Sequence, residues 1–200
     1  MAQQHAIYAV LSARDAGTQL VVLPTAGGKT ATFIVLAIAE AAAAVTVTRR
    51  LQVVAKVAPS AVTTTPTPWY PPVTIVLTPT RAITANIVGA ARAAGLTVGS
   101  RPRGCDAGKE SLFVIAMGTA VRDGVVFRQV TRRLSDGGRL ARVVIDEAHL
   151  TLLWDFREAL AHLRATVVDL PCPLLLLTAT APPAWIEALL AAVGLRAHRP

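Results

Sequence analysis

Apolar residues along this chain gather into short unbroken runs, each followed by a polar turn and then by a stretch with helical spacing. Gln19–Leu23, Val73–Leu77, Leu112–Ala116, Arg142–Ile145 and Leu174–Leu177 are rich in Val, Leu and Ile and bounded by turn residues, the pattern of strands buried on both faces. Helices are predicted over Ala2–Ala13, with Ile7, Val10 and Leu11 on one stripe, and over Thr30 to about Ala44, where strong helix formers dominate. Further helices are predicted over Arg81–Ala94, roughly Val125–Leu134, and about Pro183–Val193, the last opened by prolines and closed by Gly194. Strands alternating with helices predict an α/β fold: a mostly parallel sheet with helices on both faces. One stretch breaks the rhythm. Val45 to Pro72 mixes β-branched residues with the string TTTPTPWYPP, whose prolines exclude a regular element, so 45–72 reads as an insertion or flexible loop.

Composition narrows the class. A chain of 200 residues with 53% hydrophobic content suits one domain, 1–200, with a sizeable core. Its formal net charge is +8, and the excess is regional: Arg81 to Arg142 holds eleven Lys or Arg against four Asp or Glu. An arginine-dominated field attracts a polyanion such as nucleic acid, or serves as a solubilising surface. Cys105 and Cys172 stand far apart without a histidine or cysteine at ligand spacing, which points to neither a zinc site nor a disulfide framework. The longest apolar stretch, Ala31 to Val47, is interrupted by Glu40 and follows a lysine-threonine turn, so a core helix is expected rather than a membrane span. The polar Gln3, Gln4 and His5 argue against a secretory signal, and a nuclear or cytoplasmic location is expected.

Three strings carry the candidate chemistry: LPTAGGKT (Leu23–Thr30), VVIDEAHL (Val143–Leu150) and LLLLTATAPP (Leu174–Pro183). In the first, a turn between strand and helix directs backbone N–H groups of Thr25, Ala26, Gly27 and Gly28 and a helix N-terminus toward one point, which suits a triphosphate. Lys29 would reach the β- and γ-phosphates and Thr30 would offer its hydroxyl to Mg²⁺. A strict phosphate loop has glycine where this chain has Leu23, so an ordinary glycine turn is the alternative. In the second string an apolar strand delivers Asp146 and Glu147 to its C-terminal end, where ligands sit in open α/β sheets. Asp146 would hold Mg²⁺ and Glu147 would deprotonate an attacking water, unless the pair merely caps a helix. His149 is either a core histidine or a coupling residue to the third string, where Thr178 and Thr180 are placed to hydrogen-bond it.

In this order the three strings resemble the first RecA-like lobe of superfamily-two DEAD/DEAH-box helicases, specifically of the RecQ type. That resemblance implies a RecA-like P-loop NTPase fold, ATP and Mg²⁺ as ligands, and single-stranded nucleic acid, DNA, as partner. RecQ enzymes have a proline-threonine-glycine form of the phosphate loop, matched here except that Ala26 stands where the family usually has glycine. Gln3, with Ala6 and Ile7, resembles the glutamine motif that reads adenine. Trp154, Asp155, Phe156 and Arg157 resemble the aromatic-rich loop that senses single-stranded DNA, shortened by about two residues; Trp154 and Phe156 could equally anchor a helix in the core. Thr80 and Arg81, in TPTRAITANIV, occupy the place of a backbone-gripping loop, where sequence-independent phosphate contacts are expected. Arg81 as a solvated helix-start residue is the alternative.

The 45–72 stretch lengthens the gap between the first two motifs beyond what this lobe requires. The family's second RecA-like lobe, which contributes an arginine finger, is missing from this chain. A finger accounts for on the order of 10³–10⁵ in rate in related hydrolases, so the isolated lobe is expected to show little ATPase activity and no unwinding. A non-enzymatic nucleic-acid-binding remnant of such a helicase is the main rival. A small kinase or GTPase is another, which the DEAH string and the Trp-Asp-Phe-Arg segment do not suit.

Overall fold

A computed structural model describes residues 4–5, 10, 17–57, 70–99, 108–152 and 172–192. Strands β1 (Thr18–Val22), β2 (Val73–Thr78), β3 (Val98–Gly99), β4 (Leu112–Ala116), β5 (Leu140–Ile145) and β6 (Leu174–Thr178) form one sheet in the order β1-β6-β5-β2-β4-β3. Every pairing in it is parallel. The helices are α1 (Lys29–Val57), α2 (Arg81–Ala93), α3 (Met117–Arg122), α4 (Gly124–Asp136) and α5 (Pro183–Ala192), with a 3-10 turn at Ala148–Leu152.

Alternation along the strands builds two cores. Ile75, Leu77, Phe113, Ile115, Val143, Ile145 and Leu176 face one side of the sheet, where they pack with Phe127 and Leu134 of α4 and Leu189 of α5. Val76, Val114, Val144, Leu175 and Leu177 face the other, against Phe33, Leu36 and Ala37 of α1 and Ile87 and Ala91 of α2. Strands β2, β4 and β6 are buried at every position, which is why they read as unbroken apolar runs, whereas β1 at the sheet's margin is only partly covered. A fully buried Phe33 or Leu176 contributes roughly 1.5–3 kcal/mol of hydrophobic stabilisation.

The structure corrects the sequence reading at 45–57, which is helical and continuous with the phosphate-loop helix. The prolines that exclude a regular element begin only at Pro59, beyond that helix. Thr46 and Thr48, inside the helix, donate their hydroxyls to the carbonyls of Ala42 and Ala44, one turn back. Residues 58–69 lie outside the described residues, as does most of the predicted Ala2–Ala13 helix; Gln4, His5 and Val10 are helical, and Val10 is buried beside α1. Lys29–Thr48 is long and apolar enough to cross a membrane by length and composition. One side of it, with Phe33 and Leu36, packs on the sheet, while Val35, Ile38, Val45 and Val47 are exposed.

At the N-terminal edge of the sheet, Arg142 of β5 is buried and its Nη2 donates to Glu40 Oε1 of α1. Thr74 Oγ1 lies 3.5 Å from the other oxygen of Glu40. Removing one partner would strand a buried charge, so Glu40→Ala should lower unfolding free energy by about 3–5 kcal/mol in urea titration. A Glu40→Leu/Arg142→Met pair, which removes both charges, should recover most of that loss. A loss under about 0.5 kcal/mol for Glu40→Ala, the range of surface substitutions, would refute the pairing.

Candidate nucleotide and nucleic-acid site

Because β1, β6, β5 and β2 are neighbours and parallel, the segments leaving their C-terminal ends emerge along one edge. Val22 of β1 sits opposite Thr178 of β6, and Ile145 of β5 opposite Leu176. Two backbone bonds carry this register past the strand ends: Leu23 N–H donates to Thr178 O at 3.0 Å, and Asp146 N–H donates to Leu77 O at 2.9 Å. The glycine turn, the acidic pair and the Thr178–Thr180 segment therefore share an edge, with Thr80 and Arg81 following on the adjacent strand β2.

The 23–28 turn has little steric freedom. Gly27 N–H donates to Pro24 O at 2.8 Å, and a Cβ on Gly27 would stand 2.8 Å from that same oxygen, so only glycine fits. Gly28 has φ 82° and Ala26 has φ 61°. Left-handed backbone costs a non-glycine residue roughly 1–2 kcal/mol, so Ala26 is strained where glycine would not be. Thr25 and Ala26 are exposed, and Lys29 and Thr30 open α1. One turn further on, buried Thr32 donates its hydroxyl to Gly28 O at 3.3 Å and fixes the loop to the helix. The sequence reading did not single out Thr32.

Lys29 Nζ lies 3.2 Å from Glu147 Oε1, and His149 Nδ1 lies 3.4 Å from Glu147 Oε2. His149 Nδ1 is also 2.9 Å from Thr178 Oγ1. That hydroxyl donates to Thr180 O at 2.9 Å and accepts from Thr180 N–H at 3.2 Å, so its single proton is committed and the histidine is assigned as the donor at Nδ1. A chain of polar contacts thus runs from Lys29 through Glu147 and His149 to Thr178 and Thr180. Glu147 has φ 50°, a second left-handed non-glycine residue on this edge, and its Oε2 is buried without a hydrogen-bond partner. Among the described residues both left-handed non-glycine residues stand on this edge, where a ligand would offset their strain.

Asp146 is buried, with 6% of its surface exposed. Its carboxyl is pushed up to about 6, chiefly by burial and then by the Glu147 charge; the bond from Glu147 N–H at 3.0 Å and the Lys29 charge oppose the shift.

Thr80 caps α2, accepting from Ile83 N–H at 3.3 Å, which leaves its hydroxyl proton available to an external acceptor. Beneath it, Thr78 Oγ1 and Thr84 Oγ1 meet at 2.6 Å, so one hydroxyl donates to the other, and both lie within reach of Thr80 O, a pair that anchors the turn and that sequence spacing alone did not reveal. Arg81 is exposed. Two of the basic residues counted in the sequence are structural: Arg142 is buried against Glu40, and Arg139 bonds Pro71 O and Gly108 O and stacks on Tyr70. Gln3, Trp154, Phe156 and Arg157 lie outside the described residues. The open cavity of about 350 Å³ bounded by Ala41, Pro71, Leu96, Lys109 and Ser111 is at the opposite edge of the sheet and takes no part in this constellation.

A family model described as DEAD/DEAH box helicase matches residues 1–189. No curated protein matches the chain. Among solved structures the chain is similar to the Pyrococcus furiosus Hef helicase domain, with a TM-score of 0.58 and 16% identity. That match covers 96% of this chain but only 36% of the other, so the chain spans about a third of its neighbour's length. At this identity the likeness concerns the fold, an α/β parallel sheet of the helicase RecA-like kind.

The raised Asp146 pKa carries a sign. The folded state holds this proton more tightly than the unfolded chain does, so the group's contribution is most favourable below about pH 4. It is lost as pH rises from the ordinary value of 3.8 through about 6. At neutral pH the ionised group disfavours folding by roughly 2–3 kcal/mol. Asp146→Asn, which keeps an acceptor for Glu147 N–H, should therefore raise the melting temperature at pH 7.5 and leave it nearly unchanged at pH 4. Equal melting temperatures of the two proteins at both pH values would contradict this.

Proposed function

This chain belongs to the DEAD/DEAH box helicase family, and we propose that it is the ATP-binding lobe of a RecQ-like DNA helicase, coupling Mg-ATP to single-stranded DNA. The observation that carries the reading is the meeting of the Lys29 amine with the Glu147 carboxylate at 3.2 Å, at the edge where the glycine turn opens α1.

The residues fit the ligand chemistry. The Gly27 turn is a cradle that a Cβ would obstruct, and N–H groups at the start of α1 suit phosphate oxygens. Thr30 and Asp146 supply a hydroxyl and a buried carboxylate for Mg²⁺; the bound ion would neutralise phosphate charge and so favour the attack of water. Lys29 exchanges its bond to Glu147 for the β- and γ-phosphates, and Glu147, released from the amine, orients and deprotonates the attacking water. His149 donates from Nδ1 to Thr178, so a change at Glu147 is transmitted to the Thr178–Thr180 turn. Gln3 reads adenine, and Thr80, Arg81, Trp154, Phe156 and Arg157 hold the strand. A second RecA-like lobe supplies the arginine finger, without which hydrolysis is slow.

A non-enzymatic nucleic-acid-binding remnant is the competing reading, favoured by Ala26 in a left-handed backbone where glycine is unstrained. Single-turnover ATP hydrolysis with and without single-stranded DNA separates the two. DNA-stimulated turnover supports the enzyme, and DNA binding without turnover supports the remnant.

Lys29→Ala should abolish binding of a fluorescent ATP analogue, whereas Glu147→Gln should retain binding and lose at least about 100-fold in hydrolysis. Undiminished nucleotide binding by Lys29→Ala would reject the loop assignment.

A further inference from the structure

The outward side of α4 carries basic groups that neither the fold nor the proposed nucleotide site uses. Arg128 and Arg132 are exposed, stand one turn apart, and have no partner among the described residues. Arg122, at the end of α3, lies 3.6 Å from the exposed Asp123. Like charges at this helical spacing repel each other; Asp123 occupies the N-cap position beside Arg122, and Asp136, one turn beyond Arg132, makes no ion pair with it. The helix does not need these arginines for packing, since Phe127, Thr131 and Leu134 bury its inner side.

Resting on the nucleic-acid-binding reading above, we infer that the Arg128–Arg132 row of α4 is a second contact surface for the sugar–phosphate backbone of DNA, outside the single-strand site. Topology places it suitably. Strands β2 and β4 are parallel neighbours, so α2, with Arg81 at its start, and the α3–α4 pair leave the same edge of the sheet. Because α2 packs on one face of the sheet and α4 on the other, a strand lying over Thr80 and Arg81 reaches the row by crossing the end of β4 and then following the outer side of α4. Guanidinium groups suit phosphate oxygens bidentately and need no base identity.

An acidic protein or a membrane suits this surface less well. Val125 and Val126 are its exposed apolar residues, at 61% and 43%, and two valines fall far short of the roughly 800 Å² per partner of a stable protein interface. A membrane-surface helix turns aromatic and leucine side chains outward, whereas α4 turns Phe127 and Leu134 into the core.

The test is fluorescence anisotropy of a labelled oligothymidylate against salt concentration, for the parent chain, Arg128→Ala/Arg132→Ala, Arg128→Lys/Arg132→Lys and Arg81→Ala. Removing two phosphate contacts should reduce the slope of log K against log salt by about 1.4, and the lysine pair should retain most of it. Binding of a fluorescent ATP analogue should be unaltered in the alanine pair, which shows that the fold is kept. An unaltered slope and affinity in the alanine pair, with binding lost in Arg81→Ala, overturns this surface and leaves the proposed function standing. Absence of oligonucleotide binding by the parent chain at low salt overturns both. A loss confined to polyglutamate or to anionic phosphatidylserine vesicles, with oligonucleotide binding intact, also overturns it and assigns the row to an acidic protein or a membrane.

Discussion

Strand β6, paired in parallel between β1 and β5, is the constraint on which the rest of this lobe depends. A parallel sheet sends successive strand ends to one edge, so a turn near residue 25, a carboxylate pair near 146 and a hydroxyl at 178 become neighbours without any local sequence connection. The apolar composition of β6 is what makes this placement stable. Leu174, Leu175, Leu176 and Leu177 are buried on alternating faces, so both cores close over the strand that carries Thr178. A polar substitution inside β6 would therefore disturb the site through its register, well away from any reacting group.

The two edges of the sheet handle charge differently. At the N-terminal edge, Arg142 and Glu40 form a buried pair that ties α1 to β5, with Arg142 Nε left without a hydrogen bond. At the C-terminal edge, the groups are held short of their most comfortable state. Asp146 is buried with a raised pKa, Glu147 has a left-handed backbone and a buried oxygen without a hydrogen bond, and Ala26 occupies a conformation that suits glycine. Among the described residues, both left-handed non-glycine residues, Ala26 and Glu147, stand at this edge, where a bound anion and cation would offset their strain.

The basic excess of the chain also divides by location. Arg139 and Arg142 are absorbed into the architecture through carbonyls, an aromatic ring and a buried glutamate. Arg81, Arg128 and Arg132 stay exposed, on elements that begin at the functional edge. Net charge alone does not say where the basic groups face, and the exposed positions of these three arginines do.

Much of the fold was legible because buried parallel strands are nearly continuous apolar runs. Leu112–Ala116 was placed to the residue, and β2, β5 and β6 to within two. The edge strand β3 and the short helix α3 escaped because two to six residues carry no period. The helical stretch 45–57 was misread because β-branched residues suggest a break, while the backward hydroxyl bonds of Thr46 and Thr48 are invisible to composition. Sequence by itself determined which groups could bind a nucleotide, since a lysine, a hydroxyl, two acids and a glycine turn have few other joint uses. Only the tertiary structure decided that Lys29 meets Glu147, that Arg142 is buried against Glu40 from 102 positions away, and that Arg128 and Arg132 are exposed and unpaired among the described residues. Such contacts depend on the packing of distant elements, which local periodicity does not encode.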